Sequence, residues 1–383
     1  MVRWYPDLNI MLDIFIASVA LAAACFALFL IPRSRSKSPL VMVLLCLVFF
    51  SSGTIVFELM PALTQLYVSL IPAVFFLFLP ALWLYHDATI SSAVWRWRKS
   101  QLKQFVTMPI MLMLGVALFA LPRQDFDQMF FSSDALTTPW LKFLSIAFFV
   151  SLFGWCVLSC AYVVNILART LKYRKRIKTV YADETGRDLA WLSMTSLLIV
   201  LTWVYGLVVL AVENRWQDYC ISETGVLVLL AVIVWTVALN GLRQRPGFED
   251  TQPATAALNE ESESKTYERS AVSDDHLQKI SLKLSGAVSE DQVHLEPDLN
   301  LLKLAKHVGE PSQYISQTLS QQLNTNFFDF INRARIDEAK ELLTSTDDSV
   351  LDIAYATGFN SRSSFYKAFR QYMNQTPSQY RKS

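Results

Sequence analysis

The 383-residue sequence has little charge for its length. Asp, Glu, Lys and Arg make up 17% of the residues, whereas a soluble domain has about 25%. The shortage is confined to the part before Leu242, and from Arg243 onward the sequence is polar and charged. A single large soluble globule is therefore excluded, and we predict two regions that lie in different solvents. The net charge of +1 does not distinguish them.

Cysteine and histidine are also scarce. Four cysteines lie inside apolar stretches and a fifth lies in a loop: Cys25, Cys46, Cys156, Cys160 and, in the loop, Cys220. This distribution predicts no disulfide framework, and the four histidines have no metal-ligand spacing with the cysteines. Since no catalytic constellation occurs either, the sequence predicts no metal site, no cofactor and no enzymatic activity.

Seven apolar stretches occupy the first 242 residues, each close to the ~20 residues that a helix needs to cross a bilayer. They are Leu8–Ile31, Leu40–Met60, Leu63–Tyr85, Phe105–Leu121, Phe143–Leu167, Leu189–Val212 and Thr224–Leu242. The fourth is short, and little more than Pro61 separates the second from the third, so six crossings remain an alternative. The first is longer than the apolar core of a signal peptide and lacks a cleavage site, which favours a retained span.

Basic residues are concentrated in every second loop. The loops after spans one, three, five and seven hold most Lys and Arg, while the alternate loops are mostly acidic. Because basic loops remain on the cytoplasmic side, we predict a membrane protein with its N-terminus outside and its C-terminus in the cytoplasm. We interpret the basic run Lys172–Lys178 as a topology or anionic-lipid signal rather than a nucleic-acid patch.

Acidic residues near the outer ends of the spans are candidates for a ligand-binding site, because ionisable groups in a bilayer are costly. Glu58 and Glu213 are the two that we predict in this role, and snorkelling of their side chains to water is the alternative. The outer loops are short and leave no room for a separate sensor domain outside. Residues 243–272 are poor in large apolar side chains and are predicted to be a flexible cytoplasmic linker.

Two segments near the C-terminus share one spacing pattern. In the first, Ala305 is followed four residues later by Gly309 and ten residues later by Ile315. A helix-turn-helix needs a small residue where its helices touch, a glycine that can adopt positive φ in the turn, and an apolar residue facing the core. The pattern recurs at Ala354, Gly358 and Phe365, with the last spacing one residue longer.

Between these segments, Asn326–Leu343 has the apolar spacing of an amphipathic helix. The residues predicted to face a core are Phe327, Phe330, Ile331, Ala334, Ala339, Leu342 and Leu343. A rigid connector of this length holds the two units at a fixed separation. Their second helices could then enter successive major-groove segments about one turn, or ~34 Å, apart, so that a monomer reads what other families read as a dimer.

The segment GFNSRSSFYKAFRQYMNQTPSQYR, Gly358–Arg381, resembles the signature of the AraC/XylS family of bacterial transcription regulators. The helix containing NFFDFINRARIDEAKELL resembles the central connector of that family, and the resemblance covers roughly the last 110 residues. Asn324 and Asn374 stand where the family usually has glycine, and Asn is the next best residue for a left-handed turn. The membrane half looks like a sensor that replaces the soluble sugar-binding arm of the family's namesake.

Together with the apolar stretches and the polar linker, this resemblance predicts an all-α chain: a polytopic transmembrane helix bundle of about seven spans (1–242), the linker (243–272) and an all-helical double helix-turn-helix domain (273–383). It also implies that base contacts come from the second helix of each unit. The predicted DNA-binding residues are Ser312, Gln313, Ser316, Gln317, Ser320, Asn360, Ser361, Arg362, Ser363, Ser364, Lys367 and Arg370. Gln suits adenine and Arg suits guanine in the major groove, while Ser312, Ser320 and Arg370 suit phosphates.

The charge of the C-terminal domain is polarised. From Ser273 onward acidic residues slightly outnumber basic ones, which is unusual for a DNA binder. After Asp352 there are no acidic residues, whereas five basic ones follow. The second unit should therefore supply most of the attraction to DNA, and the first should contribute shape and hydrogen bonds.

Two functional classes follow from the sequence. The favoured one is a one-component sensor whose partners are double-stranded DNA, membrane lipids, RNA polymerase and a small-molecule or membrane signal, with a homodimer left open. The alternative is a transporter or other membrane protein with an appended regulatory DNA-binding domain. No transport signature supports the alternative.

Overall fold

The computed structural model describes residues 8–31, 37–91, 95–132, 136, 138–182, 189–212, 223–244 and 274–382. Within these ranges every regular element is a helix, and one isolated β-bridge is the sole extended pairing. The predicted all-α class is therefore confirmed for the described residues. The chain divides into two compact units: unit 1 is Met1–Thr170 with Leu189–Gln244, and unit 2 is Leu171–Asp188 with Arg245–Ser383.

Unit 1 is built from helices, most of which are apolar. They are α1 Leu8–Leu30, α2 Ser38–Ser51, α3 Gly53–Leu59, α4 Thr64–Ile90, α5 Met108–Phe119, α6 Arg123–Phe131, α7 Pro139–Val180, α8 Ala190–Val212 and α9 Glu223–Arg243, and the end of α7 lies in unit 2. Seven helical stretches in the described ranges are long and apolar enough to cross a membrane, by length and composition. They overlap the seven stretches that the sequence predicted.

The structure differs from the sequence prediction at α7 and at α6. We predicted that span five ends at Leu167 and that a loop follows, but α7 is one helix of 42 residues that continues to Val180. Lys and Arg are good helix formers, and neither Pro nor Gly interrupts the stretch after Gly154, so the basic run extends the helix. The short helix α6 was not predicted; its Phe126 and Met129 are buried three residues apart.

The outward faces of unit 1 are apolar. Phe29 is 85% exposed and Met113 is 72% exposed, and both lie in helices with the composition of a membrane span. In water such exposed surface would be unfavourable, because burial of apolar area is the main source of folding free energy. Apolar outward faces of this kind are typical of helices that lie in a lipid environment.

Helix α4 is the most buried of the candidate spans, and α2 and α5 pack against it. Near its C-terminal end α4 is tied to α7 by polar side chains. Asp87 accepts from the Arg169 guanidinium at 3.0 Å, and that guanidinium lies over the Trp83 ring, 4.8 Å from its centroid. His86 Nε2 is 2.9 Å from the Thr170 hydroxyl. These contacts fix the position of α7 within unit 1 at residues 169 and 170.

The described part of unit 2 contains seven shorter α-helices besides the end of α7. They are α10 Asp274–Ser289, α11 Leu301–Val308, α12 Ser312–Gln321, α13 Phe327–Ser345, α14 Val350–Ala356, α15 Arg362–Met373 and α16 Pro377–Tyr380. Two apolar cores form, one under α11 and α12 and one under α14 and α15. Helix α13 contributes Phe327 and Ile331 to the first core and Ile336, Ala339 and Leu343 to the second. It is thus the predicted connector.

Candidate nucleic-acid interface

The first helix-turn-helix consists of α11 and α12. Asn300 is the N-cap of α11, and its side-chain oxygen accepts from the Lys303 backbone N–H at 3.0 Å. The helix ends at Gly309, whose φ is +72°, and the Gly309 N–H donates to Ala305 O at 3.0 Å. Ile315 of α12 is fully buried. The predicted roles of Ala305, Gly309 and Ile315 in the turn and core are confirmed.

The second helix-turn-helix consists of α14 and α15 and repeats this geometry. Gly358 has a φ of +81°, and the Phe359 N–H donates to Ala354 O at 3.0 Å. Phe365 of α15 is fully buried. Ser361 is the N-cap of α15, and its hydroxyl accepts from the Ser364 N–H at 3.1 Å. The positive φ predicted for Gly358 is therefore confirmed.

Asparagine replaces glycine at two further turns. Asn324, between α12 and α13, has a φ of +46°, and Asn374, which ends α15, has a φ of +55°. Both lie in the left-handed region, which Asn tolerates better than other residues with a side chain. The expectation drawn from the resemblance holds at both positions.

The connector α13 and the second unit are both held to one short stretch, Val293–Pro297, which we name the central segment. Arg335 of α13 is fully buried, and its guanidinium donates to His294 O and to Glu296 O, each at 2.7 Å. From the second unit, the Asn360 amide donates to Pro297 O at 3.0 Å. The turn at Gly358 lies so close that an added Cβ would be 2.7 Å from Leu295 O. The central segment therefore joins the connector to the second unit.

Arg335 is a functional-site residue that our sequence reasoning missed. It occupies the buried register of α13, four residues after Ile331 and four before Ala339. A charged residue on an otherwise apolar face of an amphipathic helix signals a buried polar partner, because a buried charge must be hydrogen-bonded. The sequence contained this signal, but it could not show that the acceptors are backbone carbonyls 39 and 41 residues earlier.

A second tie joins α15 to the start of α13. The Tyr372 hydroxyl donates to the Asp329 carboxylate at 2.7 Å, and the Asn326 amide donates to the other oxygen of that carboxylate at 2.7 Å. Burial and the adjacent Asp329 carboxylate both raise the pKa of Tyr372. Tyr372 is therefore protonated at neutral pH and remains a hydrogen-bond donor.

Burial also affects His294 in the central segment. Burial lowers the pKa of its imidazole, and the nearby Arg335 guanidinium lowers the pKa further, while a hydrogen bond with the Val288 backbone opposes the shift. The ring is consequently neutral at pH 7. A neutral ring beside Arg335 avoids a second buried charge at the junction of the two units.

The residues predicted to read DNA in the first unit lie on α12. Ser312, Gln313, Ser316 and Gln317 are partly exposed and Ser320 is exposed. The Gln317 amide donates to the Gln321 side-chain oxygen at 3.0 Å, and the Ser320 hydroxyl donates to Gln317 O at 3.1 Å. These are weak surface contacts, which the side chains can exchange for a base or a phosphate.

In the second unit the predicted DNA-binding residues fall into two groups. Arg362, Ser363, Lys367 and Arg370 are exposed on α15, and the Arg362 guanidinium lies over the Tyr366 ring, 5.0 Å from its centroid. The other three are engaged within the fold: Ser361 caps α15, Ser364 shares a hydrogen bond of 2.8 Å with Ser361, and Asn360 binds the central segment. A contact between DNA and this second group would require them to exchange or share these bonds.

Of the two residues predicted to bind a ligand in the spans, one lies within the described residues. Glu58 is exposed near the C-terminal end of α3, and Glu213 lies outside the described residues. The linker predicted at 243–272 also lies outside them, apart from Arg243 and Gln244. No group of three or more His, Cys, Asp or Glu within the described ranges is arranged to hold a metal ion.

The C-terminal part of the chain is similar to known proteins. Residues 304–383 match a family described as "Helix-turn-helix domain". An uncharacterised HTH-type transcriptional regulator of Staphylococcus aureus is 39% identical over 90 residues, which are 24% of this chain and 12% of that protein. The melibiose operon regulatory protein of Escherichia coli is 32% identical over 107 residues, which are 28% of this chain and 34% of that protein.

A solved structure of a protein of unknown function from Listeria innocua is 29% identical, covers 27% of this chain and 94% of its own length, and has a TM-score of 0.24. The chain spans between about an eighth and a third of the curated relatives named above. Its C-terminal region carries a helix-turn-helix domain. This domain is of the AraC type, and AraC-family transcription regulators are among its relatives.

Proposed function

We propose that this protein is a membrane-bound, sequence-specific transcription regulator, in which the helical bundle receives a signal and the C-terminal domain binds double-stranded DNA. The observation that carries the proposal is the joining of two helix-turn-helix units through the connector and the central segment. Arg335 and Asn360 bind its carbonyls, and the Gly358 turn packs against it. One chain thus presents two potential recognition helices in a fixed arrangement.

In this proposal the exposed side chains of α12 and α15 read the DNA. Gln313 and Gln317 are suited to adenine, and Arg362 is suited to guanine O6 and N7. Lys367 and Arg370 supply positive charge for the phosphates, and Ser312 and Ser320 supply hydroxyl donors. Since regulators act on transcription through the promoter complex, RNA polymerase is the expected protein partner.

The membrane half is the proposed sensor. Seven helical stretches with the composition of membrane spans and apolar outward faces favour a location in the bacterial inner membrane, with the C-terminal domain in the cytoplasm and the N-terminus outside. The signal is a small ligand or a state of the membrane, and Glu58 and Glu213 are proposed members of its site. No catalytic step is assigned to the chain.

A binding-site selection with the full chain in lipid nanodiscs tests the proposal. We expect the selected sequences to share two motifs about one helical turn, or ~34 Å, apart, because the two units are joined. Footprints should show protection on one face of the DNA. Recovery of unrelated sequences, or of a single motif with no second protected segment, would contradict the proposal.

A further inference from the structure

The C-terminal end of α7 belongs to the same compact unit as the two helix-turn-helix motifs. Unit 2 combines Leu171–Asp188 with Arg245–Ser383, and the described part of its first piece is helical to Val180 and ends at Tyr181 and Ala182. In the sequence this piece lies between spans five and six. A connection between two spans is therefore part of the fold that carries the proposed DNA-reading helices.

The last five described residues of this piece, Lys178–Ala182, contact the domain at three points, and we name them the docking segment. Tyr181 forms an antiparallel β-bridge with Asn300. The Asn332 amide donates to Ala182 O at 2.8 Å. The Lys178 ammonium lies 5.1 Å from the centroid of the Phe328 ring, within the range of a cation–π contact.

Ala182 is also a member of the core of the first helix-turn-helix unit. It is 2% exposed and belongs to the same buried cluster as Leu301, Leu304 and Phe327. A methyl group in this position covers apolar side chains of α11 and α13 that water would otherwise reach. All other buried residues of this core come from the 273–383 region, so the docking segment completes the core.

Asn332 of α13 is the hydrogen-bond donor to the docking segment. Asn332 is 1% exposed, and its amide donates both to Phe328 O within α13, at 3.0 Å, and to Ala182 O. Each hydrogen of the amide therefore has one acceptor, and the second acceptor comes from the docking segment. Because a buried donor without an acceptor is destabilising, Asn332 favours the docked arrangement over an undocked one.

Charge favours the same arrangement. The region from Ser273 to Ser383 has twelve Lys and Arg against fourteen Asp and Glu. The stretch Leu171–Ala182 adds five basic residues and no acidic ones: Lys172, Arg174, Lys175, Arg176 and Lys178. Association of this basic segment with a domain of opposite net charge is attractive.

The contacts point to the first unit as the one affected. Tyr181 pairs with Asn300, the residue that caps α11, and Ala182 O binds Asn332 of the connector. These contacts involve α11 and α13, whereas the exposed residues proposed to read DNA in the first unit lie on α12. The docking segment therefore acts on the position and order of the first unit, and not by covering its recognition helix.

The other end of this connection is fixed in unit 1, where Arg169 and Thr170 of α7 bind Asp87 and His86 of α4. From there one uninterrupted helix leads to Val180. We propose that α7 and the docking segment transmit the state of span five to the first helix-turn-helix unit, and that the docked state favours DNA binding by that unit. This inference rests on the proposed function and names its regulation.

The first test is a disulfide cross-link in the full chain. In a background with the five native cysteines replaced by serine, Tyr181→Cys and Asn300→Cys would form a cross-strand pair, with Cα atoms about 4.5–5.5 Å apart and thus within disulfide range. With a protease site inserted at residues 251–260, the fragments should remain joined after oxidation and cleavage in membranes. Lys175→Cys with Asn300→Cys is the control pair that should separate. Separation of the first pair would overturn the docking.

The second test measures DNA affinity with nanodisc-embedded full chain and the selected DNA. Ala182→Glu should weaken protection of the half-site of the first unit by about fivefold or more and leave the other half-site unchanged. Thr179→Glu is the matched control, because it adds the same charge at a position whose hydroxyl donates to Arg176 O of its own helix. Asn332→Leu, which retains buried volume but removes the amide, should reproduce the effect of Ala182→Glu.

The outcomes separate the two proposals. If Ala182→Glu and Asn332→Leu bind both half-sites as tightly as Thr179→Glu does, the docking segment has no role in DNA binding and the inference is wrong, while the proposed function stands. If the unmodified full chain protects no specific DNA sequence, the proposed function is wrong, and the inference is wrong with it.

Discussion

Arg335 joins the connector α13 to the central segment. Its guanidinium is fully buried, bonds two backbone carbonyls of the central segment and lies 5.5 Å from the centroid of the Phe359 ring. Lysine could not replace it, because one ammonium group lacks the planar fork that reaches both carbonyls from the same position. The residue therefore sets the geometry of the junction as well as satisfying its own charge.

His294, in the same junction, predicts a pH dependence of stability. Its pKa is lowered in the folded state, so the unfolded chain binds more protons below its ordinary pKa of about 6.5. The free energy of unfolding should consequently decrease as the pH falls below that value. Thermal unfolding of the full chain in detergent, followed at pH 7.5 and 5.5, should show a smaller decrease for His294→Gln than for the wild type. Equal decreases would contradict the assignment.

The two arginines of α15 should have different effects on DNA binding. Arg362→Ala should cost about 1–3 kcal/mol of binding free energy and relax the preference at one base position, because it removes a bidentate base contact. Arg370→Ala should weaken binding to all sequences and reduce the salt slope by roughly one, because it removes a phosphate contact. Titrations of specific and random DNA at several salt concentrations measure both effects. A uniform loss for Arg362→Ala would show that it contacts a phosphate instead.

At the scale of elements, the two turn glycines provide a matched pair. Both have positive φ, so Gly309→Ala and Gly358→Ala should each lose roughly 1–2 kcal/mol of stability. A Cβ at Gly309 would meet nothing within 4 Å, whereas one at Gly358 would lie 2.7 Å from Leu295 O and 2.8 Å from His294 O. Gly358→Ala should therefore lower the melting temperature of the full chain more than Gly309→Ala does. A larger effect at Gly309 would contradict the packing at the central segment.

Local sequence patterns predicted most of the elements. Runs of apolar residues located seven candidate spans, and the Ala-to-Gly spacing located both helix-turn-helix turns together with their positive φ values. The connector was predicted from its apolar spacing, and its N-cap, Asn326, was the residue at which we began it. These features depend on neighbours within a few residues along the chain, which is why the sequence alone reveals them.

Features that depend on distant parts of the chain were missed. Arg335 contacts residues 39 and 41 positions away, and Asn332 contacts Ala182, 150 positions away. In the sequence, the only sign of each contact is a polar residue at a position of α13 that should be buried. The extension of α7 beyond Leu167 was missed for a different reason. A basic run after an apolar stretch indicates the edge of a membrane, but it does not end a helix.

At the scale of the whole molecule, the orientation in the membrane can be tested with reporters that function only outside the cytoplasm. The distribution of basic residues predicts activity for a fusion after Asp127 and no activity for fusions after Lys178 or Gly247. The expression level of each fusion, measured by immunoblot, is the control. Activity after Gly247 would place the helix-turn-helix domain outside the cytoplasm, where it could not meet chromosomal DNA.

The central segment should also constrain the spacing between the two halves of each DNA site that the protein binds. Because Arg335, Asn360 and the Gly358 turn bind one stretch of backbone, the two units cannot slide apart to suit a longer target. Insertion of one base pair between the two halves of an operator would rotate one half by about 34° and shift it by about 3.4 Å, given about 10.5 base pairs per turn. Promoters under this protein's control should therefore differ freely in base sequence outside the contacted positions but share one invariant internal spacing.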